Sequence, residues 1–367
     1  MKIALVHDYL AQDGGAEKVL EAMQEVFPKA PTFALFFDIK RFPHLRGKDV
    51  RASFLQKIPW IRKRYQWLFP LMPYAMESLD LSGYDVVISN TSAFAKGIVT
   101  RHDALHICYC HTPTRYLWSD THAYVQELKL PKLAKAFISW FLSYIRVWDV
   151  MASNRVDIFL ANSKTVQARI AKYYRRTSTV LYPPVDTHKF FISPEPKTYF
   201  LTGGRLVSYK RFDIAIEAAN RIGIRLKIFG TGPMEAELRK MAGKNVEFLG
   251  RVSWEKQAEL YAGAMAFLHP QEEDFGITAI ESMASGRPVI AFKKGGAQET
   301  IIEGVTGEFL TEQSWEHLAE RLLRFDENRY DPIQIKSYAE TYARQKFQEG
   351  LARIVESSWS EFSGPAA

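Results

Sequence analysis

The chain has 367 residues, of which 47% are hydrophobic and 24% charged, with 21 Gly and 17 Pro. That composition excludes collagen-like and disordered chains, and the length predicts two domains with an ample core. The net charge of +7 is uneven: residues 1–190 hold 26 Lys and Arg against 16 Asp and Glu, whereas residues 191–367 hold 22 against 25, so a basic partner surface belongs to the amino-terminal half.

Residues 2–6 form an apolar run that predicts a strand. His7 and Asp8 follow it too soon for a signal peptide. A loop with Gly14-Gly15 comes next, and then Val19, Leu20, Met23 and Val26 recur at helical spacing over 16–26. Glycines at that place let backbone N–H groups approach an anion at a helix N-terminus. The G-x-G-x-x-G fingerprint is absent, and a plain turn explains the pair equally well. Further strands are predicted at 32–36, 85–89, 105–109 and 157–161, with helical stretches between them.

Residues 51–76 carry Arg51, Lys57, Arg62, Lys63 and Arg64 with no acid before Glu77, interleaved with Phe54, Trp60, Trp67 and Phe69. A second such stretch is 129–146, with Lys129, Lys132, Lys135, Phe137, Trp140 and Phe141. Cations among bulky apolar side chains suit an interface with anionic lipid; a solvated face over core aromatics is the competing reading. The apolar segment 136–145 is too short to span a bilayer and predicts a buried helix. The two cysteines, Cys108 and Cys110, exclude a disulfide scaffold. In a strand both point to one face and read as buried thiols; a metal site would need partners, and only His106 and His111 are near in sequence. Cysteine usage fits the cytoplasm.

Ser163 is placed to cap a helix over 164–174. Tyr182-Pro183-Pro184-Val185-Asp186 is a natural linker, because proline fixes φ and removes donors. The strand–helix alternation then restarts, with strands at 198–201, 225–229, 246–249, 266–269, 289–291 and 308–310 and a helix over 211–221. Residues 336–362 read as helical and rich in aromatics. The pattern predicts two doubly wound α/β domains jointed near residue 185. Ligands in such sheets bind beyond the carboxyl ends of the strands, here the cleft between domains.

Two further motifs, after the Gly14-Gly15 loop, stand at such ends. Gly203-Gly204-Arg205 precedes Lys210, and an Arg with a Lys there can clamp a diphosphate. Glu273 precedes a helix that starts near Gly276, and Glu281 lies less than two turns into it. The N–H groups of Phe275, Gly276 and Ile277 lie between them and suit a phosphate. Carboxylates flanking a phosphate seat suit the hydroxyls of a nucleotide sugar. No D-x-D triplet occurs, and no metal site is expected.

Glu273 and Glu281 as E-x7-E, Arg205 and Lys210 as R-x4-K, the Gly14-Gly15 loop and the Gly295–Glu299 pattern together resemble a retaining glycosyltransferase of family 4, over nearly the whole chain. The stretches HDYLAQDGGAEKVLE, LHICYCHTPTRYLW and SNRVDIFLANS are most similar to bacterial O-antigen and polysaccharide mannosyltransferases. The resemblance implies the GT-B fold: an acceptor domain over 1–185, a donor domain over 186–345, and a C-terminal helix, about 346–367, packing back on the first domain.

It also implies roles. Arg205 and Lys210, with Gly14 and Gly15, hold the donor diphosphate, and backbone at Phe275, Gly276 and Ile277 holds its distal phosphate. Glu273 contacts the donor hexose and Glu281 the ribose. Gly230, Gly232, Arg251 and Val252 lie at the base, and His111 faces the transferred sugar. The catalytic set is thus His111, Glu273, Arg205 and Lys210. The implied reaction moves a hexose, mannose from GDP-mannose, to a polyprenyl-diphosphate-linked saccharide with retention and without a metal or other cofactor. Lys57, Trp60, Arg62, Lys63, Arg64 and Trp67 form the acceptor and membrane face, on the inner side of the cell membrane. A UDP-sugar transferase, a nucleotide-sugar epimerase, a glycan phosphorylase, a sugar-nucleotide sensor and a nucleic-acid-binding protein are the competing readings.

Overall fold

A computed structural model describes residues 1–11, 14–59, 61, 65–127, 131–195 and 198–364. The chain divides into two compact units, Met1–Tyr182 with Phe347–Ala367, and Pro183–Lys346.

In the first unit seven strands make one sheet in the order β3-β2-β1-β4-β5-β6-β7. They are β1 (Ile3–His7), β2 (Thr32–Ala34), β3 (Val50–Ala52), β4 (Val86–Thr91), β5 (Leu105–Cys110), β6 (Ile158–Ala161) and β7 (Thr179–Val180). Every pairing is parallel. Parallel strands are covered on both faces, so they read as continuous apolar runs; each residue of β4 and β5 is buried. Alternation sorts them between layers. Leu5, Ile107 and Tyr109 pack under the helices Gly15–Val26 and Arg344–Ser363. Ala4, Val6 and Val87 pack on the other side, and Cys108 and Cys110, both buried free thiols, share a cluster with Phe159 and Ile170.

The second unit holds six parallel strands in the order β10-β9-β8-β11-β12-β13. They are β8 (Phe200–Gly203), β9 (Leu226–Phe229), β10 (Val246–Gly250), β11 (Phe267–His269), β12 (Val289–Phe292) and β13 (Gly307–Leu310). Phe212, Ile216 and Ala219 of the helix Phe212–Ile222 fill the core beneath them. In both sheets the strand order reverses beside the first strand of the unit, at β1/β4 and at β8/β11. Loops diverge there and leave an opening at the carboxyl ends.

Two expectations are corrected. The helix Lys132–Ser153 contains the segment expected to be buried, yet only Leu142, Ile145, Asp149, Ala152 and Ser153 are buried in it. Leu133, Phe137, Trp140 and Tyr144 are 87%, 63%, 65% and 67% exposed. The helix is apolar on two faces, and composition does not tell which face has a partner. The tail is not one helix either: Pro332–Ala339 and Arg344–Ser363 are separated by a tight turn at Glu340–Tyr342. Val185 causes the break. Its N–H donates to the Tyr342 carbonyl and its carbonyl accepts from Arg344 N–H, at 3.1 and 2.9 Å, which draws those residues out of helical bonding. No described helix is long and apolar enough to cross a membrane.

Candidate functional site

In the second unit, three loops leaving β8, β9 and β10 are tied together by backbone. Gly204 N–H donates to Phe229 O at 3.0 Å, Leu206 N–H to Thr231 O at 3.0 Å, and Gly230 N–H to Gly250 O at 2.7 Å. Glycine is required at Gly230: its φ is +108°, and a Cβ there would lie 1.8 Å from the Gly204 carbonyl oxygen. Gly232 meets the Leu206 carbonyl in the same way, at 2.2 Å. Gly230, Gly232, Arg251 and Val252 thus stand beside the loop that carries Arg205 and Lys210. Arg205 is exposed on that loop and Lys210 is buried.

Lys210 Nζ lies 2.8 Å from Glu273 Oε1, so the structure joins two motifs that are far apart in sequence. Burial works against the Lys210 ammonium, but Glu273, with Glu281 adding to it, raises it above the ordinary lysine value. Burial likewise favours the protonated Glu273 carboxyl. Lys210 and the His269 ring overcome this, with a hydrogen bond from Gln271, and hold it at about 2. The pair is therefore ionised at neutral pH. His269 ends β11; burial pushes it down to about 4, and its Nδ1 lies 3.0 Å from Gln271 Nε2.

Glu273 lies just before the helix Ile277–Ala284, whose N-cap is Gly276 with φ +91°. Phe275 is buried and packs edge-on against Tyr342, with centroids 5.6 Å apart. The N–H groups that precede its first internal bond, Ala279 N–H to Gly276 O at 3.0 Å, suit an anion. Glu281, one turn on, is buried and accepts from Gln257 Nε2 at 2.8 Å and Tyr261 OH at 3.2 Å. Gly295 and Gly296 support the Glu273 loop from beneath. Gly296 N–H donates to Glu273 O at 2.8 Å, and a Cβ on Gly295 would lie 2.2 Å from that same oxygen.

In the first unit, Gly14 and Gly15 open the helix that follows β1, and Glu17 folds back over Gly14. Glu17 Oε1 is 3.7 Å from His7 Nε2 at the end of β1. His7 Nδ1 is 3.1 Å from the Asn90 carbonyl, and Asn90 Oδ1 is 2.6 Å from His111 Nε2. His111, just past β5, is thus joined through β4 to β1. Burial disfavours a charged His7, but Glu17, Asp8 and the Asn90 carbonyl outweigh it and raise its pKa. Burial and then the nearby His7 push His111 down to about 3.

Lys57 is exposed. Trp60, Arg62, Lys63, Arg64 and Lys129 lie outside the described residues, and Trp67 falls in the turn Tyr65–Leu71. No group of His, Cys, Asp or Glu suited to a metal ion occurs among the described residues. Sequence reasoning missed His7, Glu17, Asn90, Gln257, Tyr261, His269 and Gln271. Glu17 sits beside a motif already singled out, and His7 and His269 stand at strand ends; the others carry no local signal.

Residues 186–345 match the family described as Glycosyl transferases group 1, and residues 14–189 match Glycosyltransferase Family 4. The chain is 26% identical over 293 residues to the alpha-1,3/1,6-mannosyltransferase of Mus musculus, covering 68% of this chain and 67% of that protein. It is 34% identical over 145 residues to the GDP-mannose-dependent monoacylated alpha-(1-6)-phosphatidylinositol monomannoside mannosyltransferase of Corynebacterium glutamicum, covering 35% of this chain and 37% of that one. The chain thus spans about two thirds or less of the length of these curated relatives. Anabaena HepE, crystallised in complex with UDP, superposes with a TM-score of 0.73 at 19% identity, over 97% of this chain and 100% of that one. The architecture is GT-B.

Proposed function

We propose that this chain, which belongs to glycosyltransferase family 4, transfers a hexose from a nucleotide sugar to an acceptor hydroxyl with retention of configuration. The observation that carries the reading is the 2.8 Å contact between Lys210 and Glu273. A nucleotide sugar presents its distal phosphate and its first sugar hydroxyls within a few ångströms of one another. An ammonium and a carboxylate side by side at a helix N-terminus match that junction.

In this reading Lys210 and Arg205 hold the diphosphate and stabilise the charge that develops as the C1–O bond to phosphate breaks. Gly14 and Gly15 offer backbone N–H groups to a donor phosphate. Phe275, Gly276 and Ile277 offer backbone N–H groups to the distal phosphate. Glu273 accepts from hexose hydroxyls and Glu281 from the ribose. Gly230, Gly232, Arg251 and Val252 seat the base, and His111 faces the hexose. The acceptor oxygen bonds C1 on the face the phosphate leaves, and its proton goes to a leaving phosphate oxygen. The anomeric C–H coupling of the product tests retention; a β-mannoside refutes it. The cations at the phosphate supply the charge a metal would bring, so turnover persists in excess EDTA; loss restored by Mg²⁺ or Mn²⁺ refutes that.

Mannose from GDP-mannose is the proposed donor, supported by the mannosyltransferases among the relatives. Thermal-shift measurement with GDP-mannose, UDP-glucose, UDP-GlcNAc and the free nucleotides tests it. A donor at about 100 times its Kd stabilises by about 2.7 kcal/mol. A larger shift with a UDP-sugar reassigns the donor, and no shift with any of them refutes the reading.

The proposed acceptor is a polyprenyl-diphosphate-linked saccharide of a bacterial surface polysaccharide, met at the cytoplasmic face of the cell membrane. Exposed Leu133, Phe137, Trp140 and Tyr144 support a peripheral membrane contact, with Lys57 and the basic segment around it. Flotation with anionic liposomes tests this; absence from liposomes both with and without anionic lipid refutes docking.

A further inference from the structure

Asn90 is fully buried on β4, and both ends of its amide are committed. Nδ2 donates to the Ala16 carbonyl at 2.9 Å. A main-chain carbonyl has no proton to give, so this end must be the NH₂. Oδ1 therefore faces His111, and the 2.6 Å contact there requires a proton on His111 Nε2. A neutral ring with hydrogen on Nε2 has its lone pair on Nδ1. His111 Nδ1 has no protein partner among the described residues, so it is left to accept a hydrogen bond from outside.

His7 lies behind this amide. Its Nδ1 faces the Asn90 carbonyl and its Nε2 faces the Glu17 carboxylate. Asn90 Nδ2 also lies 3.1 Å from that Nδ1, and the Glu17 carboxylate, 3.7 Å from Nε2, favours the charged ring against burial. The charged groups around His111 are thus His7 and Asp8 from β1, with Glu17 behind them from the following helix; the Tyr109 ring packs edge-on, its centroid 5.2 Å away.

We infer that Asn90 is a positioning residue: it holds His111 as the neutral Nε2–H tautomer, so that Nδ1 accepts a hydrogen bond from a hydroxyl of the transferred hexose. The Glu17–His7 pair keeps a second proton off the ring. This rests on the reading that His111 faces the hexose. It makes His111 an orienting acceptor and not a proton donor to the leaving group, and it gives a use to Glu17, which follows the Gly14-Gly15 pair. Burial and the His7 charge, which push His111 well below the ordinary histidine range, agree with it.

Ring ¹⁵N spectra of histidine-labelled protein test the tautomer directly, with His111 assigned through H111A. The wild type should show a protonated Nε2 and a bare Nδ1, unchanged between about pH 5 and 8. Asn90→Asp puts a carboxylate at the Oδ1 position without a change of size. His111 should then take up a second proton and titrate within that range. The pH profile of kcat should gain the same ionisation, with kcat falling about a hundredfold where the ring is charged while KM for the donor changes little. Glu17→Gln, at the edge of the cluster, should bring His111 part of the way. A wild-type Nδ1–H tautomer, or a wild-type ring that titrates between pH 5 and 8, overturns the inference whatever the activity. A His111 that is charged in N90D while kcat is unaffected overturns instead the placing of His111 on the hexose.

Discussion

Lys96 and Asp149 form an ion pair, Nζ to Oδ1 at 2.6 Å, in which each side chain is 1% exposed. Asp149 also accepts from Trp118 Nε1 and Tyr174 OH, both at 2.8 Å, and from Thr114 Oγ1 at 3.1 Å. Four elements of the first unit therefore meet at one carboxylate, and two of the four partners lie in the loop that follows His111. Asp149→Ala strands the buried ammonium and should cost about 3–5 kcal/mol in urea unfolding. Because it also frees the Thr114–Trp118 loop, kcat should fall in protein that is still folded. Loss of stability below about 1 kcal/mol would contradict the burial of the pair.

Lys210 and Glu273 separate two functions of the donor. Lys210→Ala should abolish the thermal shift given by free nucleoside diphosphates and lower kcat by about a hundredfold to a thousandfold. Glu273→Gln should keep the nucleotide shift but lose the extra shift that the sugar-bearing donor provides. Equal loss of both shifts in both variants would show that the two groups do not divide phosphate from hexose.

The same pair gives a pH dependence whose sign is fixed. Glu273 is held at about 2 in the folded chain against an ordinary 4.5. The stability it contributes is whole above about pH 4.5 and is lost as pH falls through 2. Lys210 is raised above its ordinary value, so its share is whole at neutral pH and is lost only in strong alkali. Urea denaturation between about pH 5 and 2.5 should therefore show a steeper acid loss in the wild type than in E273Q; parallel curves would contradict the ion pair.

Gly295 and Gly304 both have positive φ, +62° and +78°, but only Gly295 is crowded, by the Glu273 carbonyl, whereas nothing lies within 4 Å of a Cβ on Gly304. Gly304→Ala should cost about 1 kcal/mol from backbone strain alone. Gly295→Ala should cost more and weaken donor binding, since it displaces the loop that carries Glu273. Equal effects on donor affinity would show that the Gly295 contact does not set that loop.

The strands of both sheets were legible because parallel strands are buried on both faces, and runs such as Val86-Val87-Ile88 leave no polar face to confuse them. Lys210 and Glu273 were legible because residue type, spacing and a helix start coincide. Their contact was not, since it is made across the β8/β11 reversal. His7 and Asn90 were invisible for a related reason: they meet because β1 and β4 pair with His7 opposite Asn90, a register that neither segment encodes alone. The helix Lys132–Ser153 misled because an apolar side chain looks the same whether or not something covers it.

The last helix completes the first unit's core, where Phe347, Leu351 and Val355 pack among Leu5, Ile88 and Tyr109. The chain begins one unit, builds the whole of the other, and then returns. During synthesis the second unit, being continuous in sequence, can close as soon as it emerges from the ribosome. The first must wait with an open apolar groove until its final helix arrives, although its sheet was made earliest. The order of completion is thus the reverse of the order of translation. A chain ending at Lys346 would carry a complete second unit joined to a first unit whose apolar groove is still open.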